Sequence, residues 1–499
     1  ICAGASFGDI DNDGLPDLFV STVKTGNHLF RNLGEGRFQD ISKEAGFTEQ
    51  PHSSGAVFFD FDRDGLLDLF VCSVGVYTSD QIAPDGSYHG LDDAFTGFLH
   101  PERFERSHLY RNLGGLKFTN VNSQLRFDHR EWSGDASFCD LNGTGYPSLY
   151  VLSMSGTNVF YRNDQGRSFI PETRSTFRRT PWGGMGIKFF DQNQDGLMDL
   201  YLTDMHSDMN TVQLQIGATN RSEMFAGLKS DAWCSAEWVK NKWPGASTNF
   251  IFGNAFFRNS PGGFTEISDR IGAENYWPWG ISVADLNADG FEDVFVTAGM
   301  GYPLHYWPNS VLLNDGGERF FPAEFLLGVE PRRGGQVLGE SFTLDCDGKD
   351  RAHPFARGRS GQLRIMASAS SRSSVIFDWD DDGDLDLAVG EMNGPPLMLA
   401  SDLAARRAPS YLKIRLRGTR SNRDGLGATV KVVTPEKTWT QFHDGKSGYL
   451  AQSSLPLYFG LAGSEKVERI EVLWPSGIRQ SVTGDLAADR FVTMVEPAE

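Results

Sequence analysis

The residues best suited to chemistry are carboxylates that alternate along a short segment containing a glycine. In the first such segment the carboxylates occupy positions 1, 3, 5 and 9 and the glycine position 6; these are Asp9, Asp11, Asp13, Asp17 and Gly14. Alternating oxygen ligands, followed by a glycine turn and a later carboxylate, suit a hard cation such as Ca²⁺. The spacing therefore predicts a calcium-binding loop.

The pattern occurs six times, which an ordinary acidic surface turn gives no reason to expect. We call the copies loop 1 to loop 6; they span residues 9–17, 60–68, 140–148, 191–199, 285–293 and 378–386. Loop 3 carries Asp140, Asn142, Thr144 and Ser148 at the ligand positions, and this weakly charged set favours a solvated turn. The other five predict about five Ca²⁺ sites. Their expected ligands are Asp9, Asp11, Asp13, Asp17, Asp60, Asp62, Asp64, Asp68, Asp191, Asn193, Asp195, Asp199, Asp285, Asn287, Asp289, Asp293, Asp378, Asp380, Asp382 and Asp386.

Composition limits the class of protein and its partners. The formal net charge of −19 argues against nucleic acid, whose phosphates require a basic surface. Five cysteines without a CxxC pair indicate no metal or redox motif, and no segment has the apolar length of a transmembrane helix. Calcium loops of the extracellular kind bind at concentrations found outside the cytosol. We expect an extracellular, periplasmic or outer-surface protein.

The loops must be positioned by short strands. An apolar stretch with glycine precedes each loop and an aliphatic strand follows, as in Leu18–Val20. A third strand ends in Arg-Asn in several repeats, as in His28–Asn32 and His108–Asn112, and a glycine turn leads to a fourth. Four short strands per repeat are typical of a propeller blade. For the Arg-Asn pair a structural role is favoured, with Asn starting the turn and Arg pairing with an acidic neighbour.

Two kinds of segment interrupt the repeats. Long inserts at about 78–105, 204–250 and 298–308 are expected on the surface, where propellers place specificity. Residues 325–375 show weaker strand patterning and are interpreted as a seventh blade without the standard loop. We predict an all-β chain with seven blades in residues 1–405, although the spacing leaves six or eight open.

The pattern changes near residue 405. Beyond it the acidic loops stop, and alternating strands such as Tyr411–Leu416 and Val467–Val472 follow. Their length and outward charges predict a small β-sandwich or barrel in residues 410–497.

These motifs resemble a known family. The six loops resemble FG-GAP (VCBS-type, integrin-α-like) propeller repeats. Residues 410–496 resemble an ASPIC/UnbV-type domain through 422–428, 447–450, 457–461 and Trp474–Gly477. Together they resemble the cartilage-acidic-protein family. That resemblance implies a secreted or envelope-associated calcium-binding propeller with roles in adhesion or ligand binding, and it implies no defined reaction.

One further cluster contains sulfur side chains. Methionines stand just past the second strand of several repeats, at Met154, Met205 and Met392, with His206 beside one of them. They could form a soft-metal pocket at the propeller axis, but padding of an irregular apolar channel is favoured.

Two classes of function follow. The first is a calcium-stabilised binding or scaffold protein whose partner is a protein or glycan at the cell surface, or a larger envelope complex. The alternative is an enzyme with a metal-dependent site at the axis, for which Asp204, His206 and Glu391 are the candidate residues.

Overall fold

The computed structural model describes residues 2–47, 52–82, 88–91, 100–205, 250–251, 253–301, 306–335, 337–392 and 394–498. Within them the chain is almost entirely strands and turns. The helices are single turns: α1 (Ser42–Ala45), α2 (Thr173–Phe177), α3 (Ser268–Ile271) and α4 (Leu403–Arg406). Three 3₁₀ turns occupy Pro101–Arg103, Arg333–Gly335 and Pro354–Ala356. The predicted all-β fold class is confirmed.

Six sheets in this part of the chain share one order of successive strands, counted from the strand that precedes an acidic loop. The first sheet also takes up the strand Ala451–Gln452, which pairs with its first strand. Blade 1 contains β1 (Cys2–Gly8), β2 (Asp17–Thr22), β3 (His28–Asn32) and β4 (Phe38–Asp40). Blade 2 contains β5 (Ser53–Phe59) and β6 (Asp68–Ser73) and, after the hairpin β7 (Thr78–Ile82) and β8 (Tyr88–Gly90), β9 (His108–Asn112) and β10 (Phe118–Asn120). Blade 3 contains β11 (Ser133–Cys139), β12 (Ser148–Ser153), β13 (Val159–Asn163) and β14 (Phe169–Pro171).

The other three blades continue the series. The strand β15 (Thr180–Pro181) precedes blade 4, which contains β16 (Gly184–Phe190), β17 (Asp199–Asp204), β19 (Ala255–Arg258) and β20 (Thr265–Glu266); β18 (Phe250–Ile251) pairs with β15. Blade 5 contains β21 (Pro278–Ala284), β22 (Asp293–Ala298), β23 (Ser310–Asp315) and β24 (Arg319–Pro322). The hairpin β25 (Leu338–Asp345) and β26 (Gln362–Ser368) precedes blade 6, which contains β27 (Ser371–Phe377), β28 (Asp386–Glu391) and β29 (Leu397–Leu399).

The predicted seventh blade takes a different form. In residues 325–375, β25 and β26 pair only with each other, and β27 belongs to blade 6. Outward positions of this hairpin such as Leu338 and Met366 are exposed, so it buries too little apolar surface to stand as a blade between two others. The blade-type sheets among the described residues therefore number six.

The first strands of the blades form the centre. Each packs against the first strand of the next blade, from β1 through β5, β11, β16 and β21 to β27. Blades cover one another on both faces, so these strands lose the period-two pattern of a half-exposed sheet. Every residue of β5 and β6 is buried.

The last part of the chain forms two facing sheets. Its strands are β30 (Tyr411–Arg417), β31 (Thr429–Val433), β32 (Thr438–Phe442), β33 (Ala451–Gln452), β34 (Leu457–Gly460), β35 (Lys466–Leu473), β36 (Arg479–Ala487) and β37 (Arg490–Val495). One sheet has the order β34-β30-β37 and the other β32-β31-β35-β36. Leu412, Val430, Ile470 and Trp474 are buried in one apolar cluster of this unit. We call residues 411–495 the C-terminal domain; the division into 1–405 and 410–497 stays a prediction.

The C-terminal domain enters the propeller. Residues 443–453, here called the axial segment, contact the first strand of all six blades. Its hydrogen bonds reach Ala5 of β1, Phe58 of β5, Asp135 of β11, Lys188 of β16, Ile281 of β21 and Ser373 of β27. One short segment can contact six strands only if they surround it, so the axial segment fills the propeller axis.

Candidate metal centres

Each acidic loop is shaped by its own first carboxylate. In loop 1 the Asp9 Oδ1 accepts a hydrogen bond from the Asp13 backbone N–H at 3.0 Å, and Oδ2 accepts one from Gly14 at 2.7 Å. In loops 2, 4 and 5 the carboxylates of Asp60, Asp191 and Asp285 accept the same two bonds from backbone N–H groups. The turn therefore brings positions 3 and 5 towards the first carboxylate.

The carboxylate at position 9 ties the loop to its blade. Asp68 accepts from the Phe61 backbone N–H at 3.2 Å and from that of Asn112, at the end of the third strand, at 2.8 Å. Asp17, Asp199 and Asp293 make the corresponding pair of bonds. Any cation held by position 9 would consequently connect the loop with the second and third strands.

Three loops bring together enough carboxylates for a cation. One oxygen from each of three side chains lies within 4.8 Å of the others in loops 1, 2 and 6; the sets are Asp9, Asp11 and Asp13, then Asp60, Asp62 and Asp68, then Asp378, Asp380 and Asp386. In loops 4 and 5, where position 3 is asparagine, the described residues form no such set of three carboxylates. Buried oxygens without a hydrogen-bond partner also point to a cation: Asp11 Oδ1, Asp62 Oδ1, Asn193 Oδ1 and Asp378 Oδ1. A donor set made only of oxygens fits a hard ion such as Ca²⁺.

Burial and mutual repulsion make these carboxylates costly to ionise without a counter-charge. Desolvation, added to by neighbouring carboxylates, raises the pKa of Asp9, Asp17, Asp60 and Asp191 to about 7 and that of Asp199 to about 8. Burial also raises the pKa of Asp68 and Asp293 well above the ordinary range. A bound divalent ion would reverse this by favouring the charged form.

The Arg-Asn pair has the structural role predicted from the sequence. Arg31 forms ion pairs with Asp11 at 2.7 Å and Asp13 at 3.3 Å. The Asn112 side chain accepts a bond from Gly114, which starts the glycine turn. Its amide also donates to the Ile10 carbonyl in the neighbouring loop 1 at 2.8 Å. Asn163 and Asn314 reach the preceding loop in the same way, so these asparagines join adjacent blades.

Loop 3 keeps its turn by other means. The Asp140 carboxylate accepts bonds from the backbone N–H groups of Thr144 and Gly145. Arg63, from loop 2, donates to the Thr144 carbonyl at 2.9 Å and lies over the Tyr146 ring at 5.1 Å. A guanidinium thus supports the turn of the one loop whose ligand positions carry a single carboxylate.

The loop residues that sequence reasoning missed are those at position 4. All six have a positive φ, between 54° and 63°; they are Asn12, Arg63, Gly143, Gln194, Ala288 and Asp381. Five of them bond to the C-terminal domain: Asn12 to Arg423, Arg63 to Ser476, Gln194 to Thr440, Ala288 to Ala462 and Asp381 to Lys413. Position 4 varies in residue type, so no local pattern could have indicated it.

The residues predicted for an enzymatic site at the axis, where they are described, form hydrogen bonds and ion pairs within the fold. The buried Asp204 accepts hydrogen bonds from the backbone N–H groups of Trp182 and Gly183 at 2.9 and 3.1 Å. Glu391 pairs with Arg332 and accepts from Ser371. His206 lies outside the described residues.

The methionines lie near the far end of the axial segment. The Tyr449 hydroxyl is 3.8 Å from Met154 Sδ, and Arg372 Nη2 is 3.0 Å from Met392 Sδ. Met392 is 42% exposed, and padding of an apolar channel by the methionines stays a prediction. Cys72, Cys139 and Cys346 are buried free thiols.

A cavity of about 250 Å³ separates blades 4 to 6 from the C-terminal domain. It is lined on one side by Lys188 and Glu292 and on the other by Lys413, Arg415 and Phe442. Burial raises the pKa of Glu292 to about 8, and one of its oxygens has no hydrogen-bond partner.

Comparison with known proteins bears out the resemblance found in the sequence. The FG-GAP-like repeat family matches residues 9–71, 140–202 and 247–296, and the ASPIC and UnbV family matches residues 418–499. Cartilage acidic protein 1 from Xenopus tropicalis and from Homo sapiens is 36% identical over 67 residues, which are 13% of this chain and 10% of each relative. The match thus spans about a tenth of these curated relatives.

Solved structures with a similar chain path are distant in sequence. The rhamnogalacturonan lyase YesW is 13% identical, with 74% of this chain and 55% of that chain covered and a TM-score of 0.32. AofleA from Arthrobotrys oligospora is 10% identical, with 80% and 81% covered and a TM-score of 0.34. No helix in the described ranges combines the length and apolar character needed to cross a membrane.

Proposed function

Because the chain belongs to the FG-GAP-repeat proteins with a C-terminal ASPIC/UnbV-type domain, as cartilage acidic protein has, we propose that it is a calcium-stabilised extracellular β-propeller that acts as a binding or scaffold module. The observation that carries the proposal is the trio of carboxylates gathered in each of loops 1, 2 and 6. Each trio forms an ion pair with one basic side chain, Arg31, Arg111 or Lys413, and the buried oxygens that stay unpartnered support a further, divalent counter-charge. The same loop pattern extends the proposal to loops 4 and 5, for about five Ca²⁺ in all.

The cation stabilises each blade by relieving repulsion at a junction of three strands. Position 1 follows the first strand, and position 9 begins the second and bonds to the third. An extracellular site with Kd about tenfold below the calcium concentration contributes about 1.4 kcal/mol, so five sites contribute about 7 kcal/mol.

The partner surface we propose is the face away from the loops. The C-terminal domain covers the loop face, at Gly65, Gly290 and Gly383 among other positions. The second and third strands of a blade are antiparallel, so the connections between them leave from the opposite face. The inserts at 78–105, 204–250 and 298–308 are such connections, and we assign to them the recognition of a protein or glycan, alone or within a larger surface assembly.

Metal analysis and thermal melting test the proposal. We expect about five Ca²⁺ per chain and no stoichiometric transition metal, and removal by chelation should lower Tm by several degrees. Asp60→Ala and Asp191→Ala should each remove one ion. The matched variant Asp140→Ala in loop 3 should leave the count unchanged. A calcium-free protein, or a melt that chelation does not move, would refute the role.

A further inference from the structure

We propose that calcium occupancy of the loops and seating of the C-terminal domain are coupled, so that this domain is a calcium-dependent cap on the propeller. The inference rests on the proposed calcium binding and adds a consequence to it. Its mediator is the residue at position 4 of loops 1, 2, 4, 5 and 6.

Position 4 faces away from the candidate ligands. In loop 1 the carboxylates of positions 1, 3 and 5 lie together, and in loops 2 and 6 those of positions 1, 3 and 9 do. The position-4 side chains of Asn12 and Gln194 bond instead to the C-terminal domain. The positive φ of position 4, 59° at Asn12 and 56° at Gln194, is a conformation that L side chains rarely adopt. Such a conformation persists only where its surroundings hold it. A cation bound by the side chains of positions 3 and 5 would keep the residue between them in this conformation.

The outward residue is what the C-terminal domain contacts. Gln194 Oε1 accepts a hydrogen bond from the Thr440 backbone N–H at 2.7 Å. Asn12 Oδ1 accepts one from the Arg423 backbone N–H at 2.8 Å. If a loop lost its turn, these acceptors would leave a backbone N–H of the C-terminal domain unpaired, and buried unpaired donors are costly.

The glycine at position 6 adds a steric requirement. A Cβ on Gly290 would stand 2.2 Å from the Trp439 ring, and one on Gly383 would stand 2.4 Å from the Tyr411 ring. The two aromatic side chains therefore pack on the loops only while Gly290 and Gly383 keep their left-handed backbone conformation, with φ of 91° and 96°. The fit of the C-terminal domain therefore depends on the backbone conformation of the loop as well as on its side chains.

Loop 3, which has few charged ligand residues, contacts the C-terminal domain in a different way. Its position 4 is Gly143, which has no side chain to offer. Arg63 instead joins Thr144 of loop 3 to Ser476 of the C-terminal domain. Because Arg63 is itself position 4 of loop 2, with φ of 63°, this contact also depends on the turn of a loop that carries candidate calcium ligands.

Coupling of this kind is reciprocal: calcium must favour the seated domain, and seating must raise calcium affinity by the same factor. Hydrogen exchange of the full-length protein, with and without chelator, tests the first half. On chelation we expect at least tenfold faster exchange at the interface amides of Arg423, Thr440 and Gly448. The amide of Val432, inside the β31 ladder of the same domain, should stay protected.

The second half is tested by calorimetric calcium titration of Gln194→Ala. The matched control is Gln165→Ala, the same substitution at an exposed residue with φ of 55° that lies outside any loop. Gln194→Ala should weaken one calcium site several-fold, and Gln165→Ala should change none.

The outcomes separate the two proposals. Absence of calcium binding by the unmodified protein refutes the proposed function. Calcium binding with unchanged interface exchange overturns the coupling alone. If chelation accelerates exchange everywhere, the titration decides, and equal calcium affinities of the two glutamine variants overturn the coupling.

Discussion

Replacing Lys446 by methionine should cost more stability than any substitution of a surface cation. Lys446 Nζ lies 2.6 Å from Asp135 Oδ1, and both side chains are fully buried. Asp135 also accepts the Leu450 backbone N–H at 3.0 Å, so the pair anchors the axial segment to β11. Methionine keeps the apolar stem and removes the charge, which leaves the carboxylate buried without a cation. Breaking a buried pair in this way costs about 3–5 kcal/mol.

The expected shift in Tm follows from chain length. Unfolding entropy is about 2.1 cal/mol/K per residue, so cooperative unfolding of 499 residues has an entropy of about 1 kcal/mol/K. The variant should therefore melt about 3–5 °C lower, measured by calorimetry in saturating calcium. Lys446→Met combined with Asp135→Leu should recover part of the loss, because an apolar pair often replaces a buried ion pair without penalty.

The control is Lys24→Met, whose partner Asp80 is 99% exposed. It should shift Tm far less, because exposed pairs contribute little. The reasoning fails if Lys446→Met behaves like Lys24→Met, or if the double variant is no more stable than the single one.

Three further substitutions probe other parts of the fold. Gly290→Ala should destabilise by several kcal/mol in urea unfolding, because the methyl group would meet the buried Trp439; Gly36→Ala, also at positive φ but in open space, should cost only about 1–2 kcal/mol. His129 is buried and its pKa is lowered to about 4 by desolvation, so the unfolded chain binds more protons between pH about 6.5 and 4. As the pH is lowered from about 6.5 to 4, the free energy of unfolding should decrease by up to about 3 kcal/mol. The variant His129→Gln should show a flatter dependence of stability on pH in this interval. Asn112→Ala should cost about 1–3 kcal/mol for each of the two loop carbonyls it leaves unpaired, measured by thermal melting.

Specific results would contradict each of these expectations. Equal losses in the two glycine variants would show that Trp439 yields to the added methyl group. An unchanged pH profile in His129→Gln would place the acid sensitivity elsewhere. If Asn112→Ala melted like the unmodified protein, the asparagine bridge between blades would contribute nothing to stability.

The sequence predicted most of what local pattern can specify. The strand expected at Leu18–Val20 lies within β2, and that expected at Val467–Val472 lies within β35. The third strand His108–Asn112 has the predicted bounds. Repeated spacing places these elements because ligand geometry and alternation act over a few residues. The strand Thr438–Phe442 was missed, since its polar residues obscure the alternation.

What the sequence could not predict depends on contacts between distant residues. The axial segment carries Lys446 and Gln452 into a buried centre, although each alone indicates a solvated position. Asp135 would be interpreted as a surface carboxylate without its partner 311 residues away. The role of position 4 is likewise set by a partner more than 100 residues further along the chain in loops 1, 2, 4 and 5.

The axial segment also has a consequence for synthesis of the chain. The Phe58 backbone N–H bonds to the Gln452 side chain, 394 positions later. At about 5–20 residues per second the ribosome needs roughly 20–80 s to supply that partner. Throughout this interval the early blades form an open arc, and the axial segment that will fill their centre, the hub of the propeller, has not been synthesised. A chaperone or a secretion apparatus that holds the nascent arc would act in this window, and a chain cut before the hub is made would leave the arc permanently unfinished.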